Sequence, residues 1–210
     1  MNNRGVLTII SGFSGVGKGT LVKELLSKYD NYALSVSATT RAMRSGEEEG
    51  KSYFFLSVSE FEEKIEKNEL LEYARYVNNY YGTPRAYVEK MLESGKDVLL
   101  EIEIQGARQV KKIMPDALTI FIMPPTADTL KERLVGRNTE TMDVIEARLK
   151  RAVEESGGIE EYDCILVNDD LQKSVEKLHG IIQASHNRSF RNIKFIEKIR
   201  EDVKVFSEGE

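Results

Sequence analysis

The chain has 210 residues, 40% of them hydrophobic and 31% charged, and its formal net charge is −5. This length and apolar content suit one sizeable domain with inserted segments. The net negative charge, with lysine and arginine spread along the chain, argues against a nucleic-acid partner. No apolar run approaches the roughly 20 residues that span a bilayer, which argues against a membrane partner.

The N-terminal residues and the cysteine content indicate a cytoplasmic location. Residues 1–4 lead directly into an apolar run and lack the layout of a secretory signal. The single cysteine, Cys164, excludes an intramolecular disulfide and fits a reducing compartment. Because Cys164 begins an apolar run that predicts a buried strand, we expect a small core residue and not a catalytic thiol.

The first predicted strand, residues 6–10, enters a glycine-rich turn that carries a lysine, and a helical pattern follows over 21–26. Strand, turn and helix in this order form a P-loop. Consecutive backbone N–H groups surround an anion, the helix N-terminus adds its positive dipole end, and Lys18 reaches the terminal phosphates. The residues that this pattern assigns to nucleotide phosphates are Gly12, Ser14, Gly15, Val16, Gly17, Lys18, Gly19 and Thr20.

The turn departs from the usual P-loop pattern at one position. Ser or Thr commonly follows the lysine, whereas here Gly19 does, and the hydroxyl comes one residue later at Thr20. We expect Mg²⁺ to be held mostly by phosphate oxygens and waters, as this ion often is, with Thr20 as its candidate side-chain ligand.

Residues 35–94 form a polar insert between the first helix and the next core strand. Ser59 and Glu62 fit a capping box that begins one helix. Thr83 as N-cap, followed by Pro84 in the first turn, predicts the start of another helix. We therefore expect a small mixed subdomain here.

Two arginines of the insert, Arg41 and Arg44, lie three apart in a polar loop. Guanidinium groups stay charged at neutral pH and bind phosphate through paired hydrogen bonds. From these two residues alone, a phosphate site and two solvated arginines are equally good interpretations.

A carboxylate of the insert, Glu72, lies in a strand-like run over 70–77. Beside a phosphate site it suggests base recognition, because guanine presents two adjacent N–H donors that one carboxylate can accept. Adenine presents an acceptor at that ring nitrogen and is repelled. Such a site rejects the wrong base strongly, since mispairing leaves a desolvated charge unsatisfied.

Two further acids follow the next core strand, near 98–102. Glu101 and Glu103 are two apart, which places them on one face if the strand continues through both. At the carboxyl end of a core strand, beside the P-loop, they could orient the waters of Mg²⁺ and the incoming nucleotide. The alternative is solvation of a strand end.

The rest of the chain alternates strands and helices. Apolar runs at 118–123 and 165–167 predict strands, and helical patterns span 107–114, 126–156 and 171–184. This alternation predicts an α/β fold with a parallel sheet covered by helices on both faces, with ligands at the carboxyl ends of the strands.

Two segments of the C-terminal half lie outside that core. The arginine-bearing helical stretch within 126–156 suggests a lid over the phosphate site. Residues 187–210 have the pattern of an amphipathic helix packed on the core or on a partner, so monomer and homo-oligomer both stay open.

Taken together, these motifs resemble those of the guanylate kinase family, P-loop nucleoside monophosphate kinases that phosphorylate GMP, and by extension dGMP, with ATP. The resemblance runs from Gly5 to about Ala184, and its motifs lie at 35–44, 46–55, 79–84, 100–106 and 167–169. It implies a core formed by 1–34, 95–125 and 157–186, a GMP-binding insert at 35–94, a lid at 126–156 and a C-terminal segment at 187–210.

The resemblance also implies residue roles. The GMP phosphate would be bound by Arg41, Arg44, Tyr53 and Tyr81. The guanine would be bound by Ser37, Glu72 and Thr83, with Glu101 supporting that site. Lys18 and the loop amides would hold the ATP phosphates, and Asn168 would lie near the adenine or ribose. The lid would contribute Arg133, Arg137 and Arg148, which stabilise transferred charge or pack on adenine.

The chain departs from the family at Glu103, where members often carry aspartate, and at Gly19. The longer acid changes the geometry of any water-mediated contact to Mg²⁺. Two other functions stay open as alternatives: a kinase of another small phosphorylated substrate on the same scaffold, and a non-catalytic module that binds phosphopeptides through the GMP site.

Overall fold

The computed structural model describes residues 4–136 and 142–206. The strands are β1 (Leu7–Gly12), β2 (Tyr32–Leu34), β3 (Ala38–Thr39), β4 (Phe54–Phe55), β5 (Leu70–Tyr76), β6 (Asn79–Pro84), β7 (Asp97–Glu101), β8 (Leu118–Met123) and β9 (Cys164–Val167). The α-helices are α1 (Lys18–Lys28), α2 (Val58–Glu66), α3 (Arg85–Glu93), α4 (Ile104–Ile113), α5 (Ala127–Val135), α6 (Met142–Ser156), α7 (Leu171–Ser185) and α8 (Ile193–Asp202).

The larger of the two sheets in these residues is wholly parallel, with strand order β2-β7-β1-β8-β9. Helices α1 and α7 pack on one face, where Leu21, Leu25 and Leu178 meet Ile10 of the central strand. Helices α3 and α4 pack on the other face and share a second apolar cluster with the sheet. The predicted α/β class is therefore confirmed, because both faces of the parallel sheet are covered.

The insert carries a second sheet, with order β4-β3-β6-β5 and mixed pairing. The capping box of α2 is formed by Ser57 and Glu60, not by Ser59 and Glu62 as the sequence analysis expected. Both pairs have the right spacing, but only Ser57 has the extended backbone that an N-cap requires. The start of α3 also differs, since Pro84 is its N-cap and Thr83 lies within β6.

The pairing of β5 with β6 contains an irregularity that matters for the site. The register shifts between Leu70 and Tyr73, as at a β-bulge. Leu71 and Glu72, which would point to opposite faces of a regular strand, are both buried, with Glu72 9% exposed. Gly82 lies opposite, and a Cβ there would come within 2.7 Å of the Glu72 carbonyl oxygen. The bulge thus turns a charged side chain inward.

The last strand of the parallel sheet is less buried than its sequence suggests. β9 lies at the sheet edge, and Ile165 and Val167 are both 42% exposed. The expectation of a buried strand is therefore wrong for these residues, because an edge strand has a neighbour on one side only. Cys164 packs against the core in part, and burial raises the pKa of its thiol.

The start of β7 holds a buried carboxylate that joins distant parts of the chain. Asp97 accepts hydrogen bonds from the Val6 amide at 2.7 Å, Asn31 Nδ2 at 3.2 Å, Gln183 Nε2 at 3.0 Å and His186 Nε2 at 2.8 Å. The residue is 1% exposed. These contacts tie β1, the loop before β2 and the end of α7 to one strand, at the end opposite to the P-loop.

Replacing Asp97 with asparagine is expected to lower stability without changing catalysis. The amide puts two N–H donors among groups that also donate, which costs about 3 kcal/mol at a buried site. In a chain of this size that corresponds to roughly 6–12 °C in Tm. Thermal melting checks the loss, the exposed Asp116→Asn is the control, and kcat should stay within about twofold of wild type, since Asp97 is remote from the site.

Among residues 4–136 and 142–206, no helix is both long and apolar enough to cross a bilayer. Helix α8 is amphipathic, as expected, but its apolar side chains Phe195 and Ile199 are 47% and 44% exposed. Among the described residues, α8 is therefore largely exposed to solvent and is not packed into the core.

Candidate functional site

The P-loop lies where the parallel sheet presents the carboxyl ends of its strands. β1 is the central strand and passes into the loop at Gly12, while its neighbours β7 and β8 end at Glu101 and Met123. β9 ends at Val167 and is followed directly by Asn168. The fold therefore brings the loop, Glu101 and Asn168 to one edge of the sheet.

Two glycines of the loop are required by both backbone and packing. Gly15 and Gly17 have φ values of 86° and 95°, in the left-handed region that side chains disfavour. A Cβ on Gly15 would lie 2.5 Å from Leu134, and one on Gly17 would lie 2.9 Å from the Asn168 amide nitrogen. Helix α1 begins directly after Gly17, earlier than predicted, so its free N–H groups and positive dipole end face the loop.

Lys18, the first residue of α1, folds back over the loop. Its Nζ donates to the carbonyl oxygens of Gly12 at 2.7 Å and Phe13 at 3.2 Å. The Lys18 ammonium group therefore lies against the backbone of the loop.

Three side chains from the C-terminal half contact the P-loop. Arg133 Nη1 donates to the Val16 carbonyl at 3.2 Å, and Arg148 Nη1 donates to Ser14 Oγ at 3.0 Å. Asn168, 7% exposed, donates from Nδ2 to the same Val16 carbonyl at 2.9 Å. The structure thus puts Asn168 against the backbone of the loop, and its place near adenine or ribose stays a prediction. Arg137 lies outside the described residues.

Glu101 and Glu103 do not share a strand face, so that expectation is wrong. β7 ends at Glu101, and Glu103 is the N-cap residue of α4. The Glu101 carboxylate lies beside the P-loop, 3.8 Å from where a Cβ on Gly19 would be. Burial raises its pKa, and the nearby Lys18 charge opposes that rise. Glu103 instead accepts a hydrogen bond from Arg151 Nη2 at 2.5 Å.

The predicted phosphate-binding residues of the insert gather around Arg41. Its guanidinium lies 5.4 Å from the Tyr53 ring centre, and the Tyr53 and Tyr81 rings are 6.3 Å apart. Arg41 also makes a two-pronged ion pair with Glu47, at 2.7 and 3.0 Å. Glu47 accepts from the Arg44 backbone N–H as well, and these donors lower its pKa.

Glu72 and Thr83 meet on the inner side of the insert. The Thr83 hydroxyl donates to Glu72 Oε1 at 2.6 Å, and both residues are buried. Burial raises the pKa of Glu72, the Thr83 hydrogen bond opposes the rise, and the negative charge of Glu103 adds to it. Ser37 is half-buried one residue before β3, which pairs with β6, the strand that carries Thr83.

Several contacts in this region involve residues to which the sequence patterns assigned no role. Glu47 orients Arg41, but a single acid in a polar loop carries no signal of its own. Arg151 of α6 links Glu103 to Glu155, whose carboxyl is half-buried and has a pKa raised by burial. The spacing of Arg151 and Glu155, four apart on a helix, was a detectable sign of a pair, but the contact of Arg151 with Glu103 depends on the fold.

In residues 4–136 and 142–206, no group of three or more His, Cys, Asp or Glu side chains is arranged to hold a metal ion. Mg²⁺ that is bound mainly through nucleotide phosphates and waters needs only one or two protein oxygens. Thr20, exposed in the first turn of α1, and Glu101 are available for this. Glu103 is already engaged by Arg151.

Comparison with known proteins yields one consistent result. The family model described as guanylate kinase matches residues 4–185. The chain is 49% identical over 202 residues to a guanylate kinase of Clostridioides difficile (strain 630), covering 95% of this chain and 98% of the relative. It is 50% identical over 206 residues to one from Streptococcus thermophilus (strain CNRZ 1066), covering 98% and 99%.

A solved structure agrees with these sequence relatives. The crystal structure of guanylate kinase from Anaplasma phagocytophilum superposes with a TM-score of 0.69 at 35% identity, covering 90% of both chains. Its fold and the family model therefore span the P-loop core and the insert together.

Proposed function

The chain belongs to the guanylate kinase family, and from this premise we propose which of its residues bind each nucleotide and which drive the reaction. The enzyme is a nucleoside monophosphate kinase that transfers the γ-phosphoryl group of ATP to GMP, which yields ADP and GDP. In the proposed division, residues 1–34, 95–125 and 157–186 form the core, 35–94 bind GMP and 126–156 act as a lid. A reducing cytoplasm suits its single cysteine.

The buried Glu72 carboxylate is the observation that carries the choice of guanine. Its Oε1 accepts from Thr83, and its burial means that the charge lacks the hydration it would have in water. The two N–H donors on the Watson–Crick edge of guanine can compensate such a carboxylate, whereas adenine would leave it facing an acceptor. We assign guanine binding to Glu72 and Thr83, with Ser37 beside them.

The GMP phosphate is assigned to Arg41, Arg44, Tyr53 and Tyr81. The Arg41 side chain is held by Glu47 and lies over the Tyr53 ring, so its orientation is defined before a nucleotide arrives. Nη1 donates to Glu47 and to the Ala42 carbonyl, and Nη2 donates once to Glu47, so the other N–H groups of the guanidinium are those that remain for phosphate. Preorganised donors of this kind lower the entropy cost of binding.

Replacing Arg41 with lysine is expected to raise KM for GMP by about tenfold while leaving KM for ATP near its wild-type value. Lysine keeps the charge but loses the planar fork that contacts Glu47 and phosphate together. Initial-rate kinetics with each nucleotide varied in turn check this. Arg75→Lys, an exposed arginine of β5, is the matched control, and equal behaviour of both variants would refute the assigned role.

The ATP phosphates are assigned to the loop Gly12–Thr20 and above all to Lys18. Asn168 donates a hydrogen bond to the Val16 carbonyl of the loop, a contact that supports a role in positioning the loop for ATP. Arg133 and Arg148 already contact the loop, which supports their placement beside the transferred phosphoryl group, and we assign the same role to Arg137. Such charges stabilise the transition state because they are aimed at developing negative charge.

Bound Mg²⁺ would supply neutralisation of phosphate charge, with Thr20 and, through water, Glu101 as the protein groups that hold it. Glu103, the other acid considered for this, would act on Arg151 instead. The GMP phosphate is an anion at neutral pH, so no general base is needed. The protein's part is then to align the two phosphates and to exclude water, which would otherwise accept the phosphoryl group.

Coupled measurement of ADP release with ATP, Mg²⁺ and a panel of GMP, dGMP, AMP and UMP tests the proposal. We expect turnover with GMP and dGMP, and kcat/KM for AMP and UMP lower by a factor of about 100 or more. Preference for AMP or UMP would instead support a kinase of another small substrate. ADP release that never exceeds background would support a phosphopeptide-binding module.

A further inference from the structure

Gly106 is a glycine inside a regular helix, where glycine is the less stable choice. It lies in the first turn of α4 and is buried. Its backbone is helical, a conformation that alanine also adopts, and alanine would stabilise the helix more than glycine does. Neither a turn nor a left-handed backbone accounts for a glycine at this position.

The space left by the missing side chain is occupied by the base-binding carboxylate. A Cβ built on Gly106 would lie 3.2 Å from Glu72 Oε2 and 3.5 Å from Glu72 Cγ, with Ile102 Cδ1 at 3.4 Å. A separation of 3.2 Å is tighter than nine in ten Cβ contacts in proteins, so the neighbouring atom would have to move by a few tenths of an ångström. Two of the three nearest atoms belong to Glu72.

Glu72 has little freedom to move without losing its orientation. Its Oε1 is fixed by the Thr83 hydroxyl at 2.6 Å, and the strand bulge that turns the side chain inward is closed against Gly82. A methyl group against Oε2 would therefore rotate the carboxylate plane about the Thr83 contact. Recognition of two N–H donors requires both oxygens in line with them, because hydrogen bonds weaken steeply with misalignment.

We propose that Gly106 is a specificity-determining positioning residue, whose missing side chain lets the Glu72 carboxylate lie in the orientation that binds guanine. The inference rests on the proposed role of Glu72. Gly106 itself makes no hydrogen bond to the base; it acts through the oxygen beside it. Helix α4 of the core thereby sets the orientation of a side chain that belongs to the insert.

The test is Gly106→Ala, assayed for both nucleotides. We expect KM for GMP to rise about tenfold, with kcat at saturating GMP and KM for ATP within about twofold of wild type. Gly180→Ala is the matched control, because Gly180 lies in α7 and a Cβ there meets nothing within 4 Å. An unchanged KM for GMP in Gly106→Ala would overturn the inference.

A double-mutant cycle with Glu72→Gln separates this inference from the proposed function. If Gly106 acts through Glu72, adding Gly106→Ala to Glu72→Gln should change KM for GMP by less than about twofold. If Gly106→Ala raises KM for GMP in the Glu72→Gln background as much as it does in wild type, Gly106 does not act through the Glu72 carboxylate, and the inference is contradicted. If Glu72→Gln alone leaves KM for GMP unchanged, the assigned role of Glu72 fails and the inference fails with it.

Should Gly106→Ala melt too early to be assayed, Gly106→Ala combined with Glu72→Asp answers the same question. The shorter aspartate withdraws the carboxylate from the added methyl, so the melting temperature should return to that of Glu72→Asp alone. Failure to recover would show that the crowding lies against Ile102 or the helix and would refute the proposal.

Discussion

Replacing Lys18 with alanine is expected to lower kcat by about 10²–10³-fold or more, by analogy with the loss of one donor to a developing oxyanion. The Lys18 ammonium lies within the loop, against the Gly12 and Phe13 carbonyls, where the phosphates of ATP would be bound. Lys18 is the one basic residue of the loop Gly12–Thr20, so its loss removes the positive charge that this loop carries. Coupled ADP release at saturating nucleotides measures the effect.

Two further variants make that result specific to the charge. Lys18→Met keeps most of the side-chain stem and should be nearly as inactive as Lys18→Ala. Lys23→Ala, on the exposed side of the same helix, should be indistinguishable from wild type. Circular dichroism and melting should show an intact fold, since the Lys18 hydrogen bonds to Gly12 and Phe13 are only partly buried and lie within one loop. Turnover of Lys18→Ala within a few-fold of wild type would refute the assignment.

Glu72→Gln is expected to lower kcat/KM for GMP by about 100-fold and to narrow the preference for GMP over AMP. Glutamine keeps the shape of the side chain and an oxygen for Thr83, but it presents an N–H group to one of the guanine donors. Initial rates with GMP and AMP measure the change. Glu66→Gln, an exposed acid of α2, is the control and should not alter either substrate.

The same substitution is expected to stabilise the folded protein at neutral pH. Burial raises the pKa of Glu72 in the folded state above the unfolded value of about 4.3. Between the two values the folded state binds the proton that the unfolded state has released, so stability falls as pH rises through that window. At higher pH the Glu72 carboxylate is ionised in both states, and the loss of stability stays constant. Glutamine carries no such charge.

Melting temperatures of wild type and Glu72→Gln, measured from about pH 4 to pH 8, test this sign. Their difference should be smallest at the acidic end and should grow in favour of the variant as pH rises. Other acids titrate in both proteins and cancel in the difference. A difference that stays constant, or that shrinks with rising pH, would contradict a desolvated carboxylate at Glu72.

Glu72, Glu101 and Glu103 show what a local sequence pattern can predict about a site and what it cannot. All three acids were singled out from the sequence because they lie in or beside apolar strands, where carboxylates are uncommon. Spacing also put Glu101 and Glu103 on one strand face, which failed since the strand ends at the first of them. Where a strand ends depends on its neighbours β1 and β2, and those pairings are not encoded in a two-residue spacing.

By itself, the sequence determined the P-loop, the parallel α/β core and the family. These depend on contiguous stretches: glycines that alone tolerate the loop backbone, apolar runs of strand length and helical periodicity. Only the tertiary structure decided that Arg133, Arg148 and Asn168 contact the loop, that Arg41 is held by Glu47, and that Gly106 makes room for Glu72. Most of those contacts join residues far apart in the chain and depend on packing, and the orientation of Glu72 also depends on a strand bulge. Neither packing nor the bulge leaves a local periodicity in the sequence.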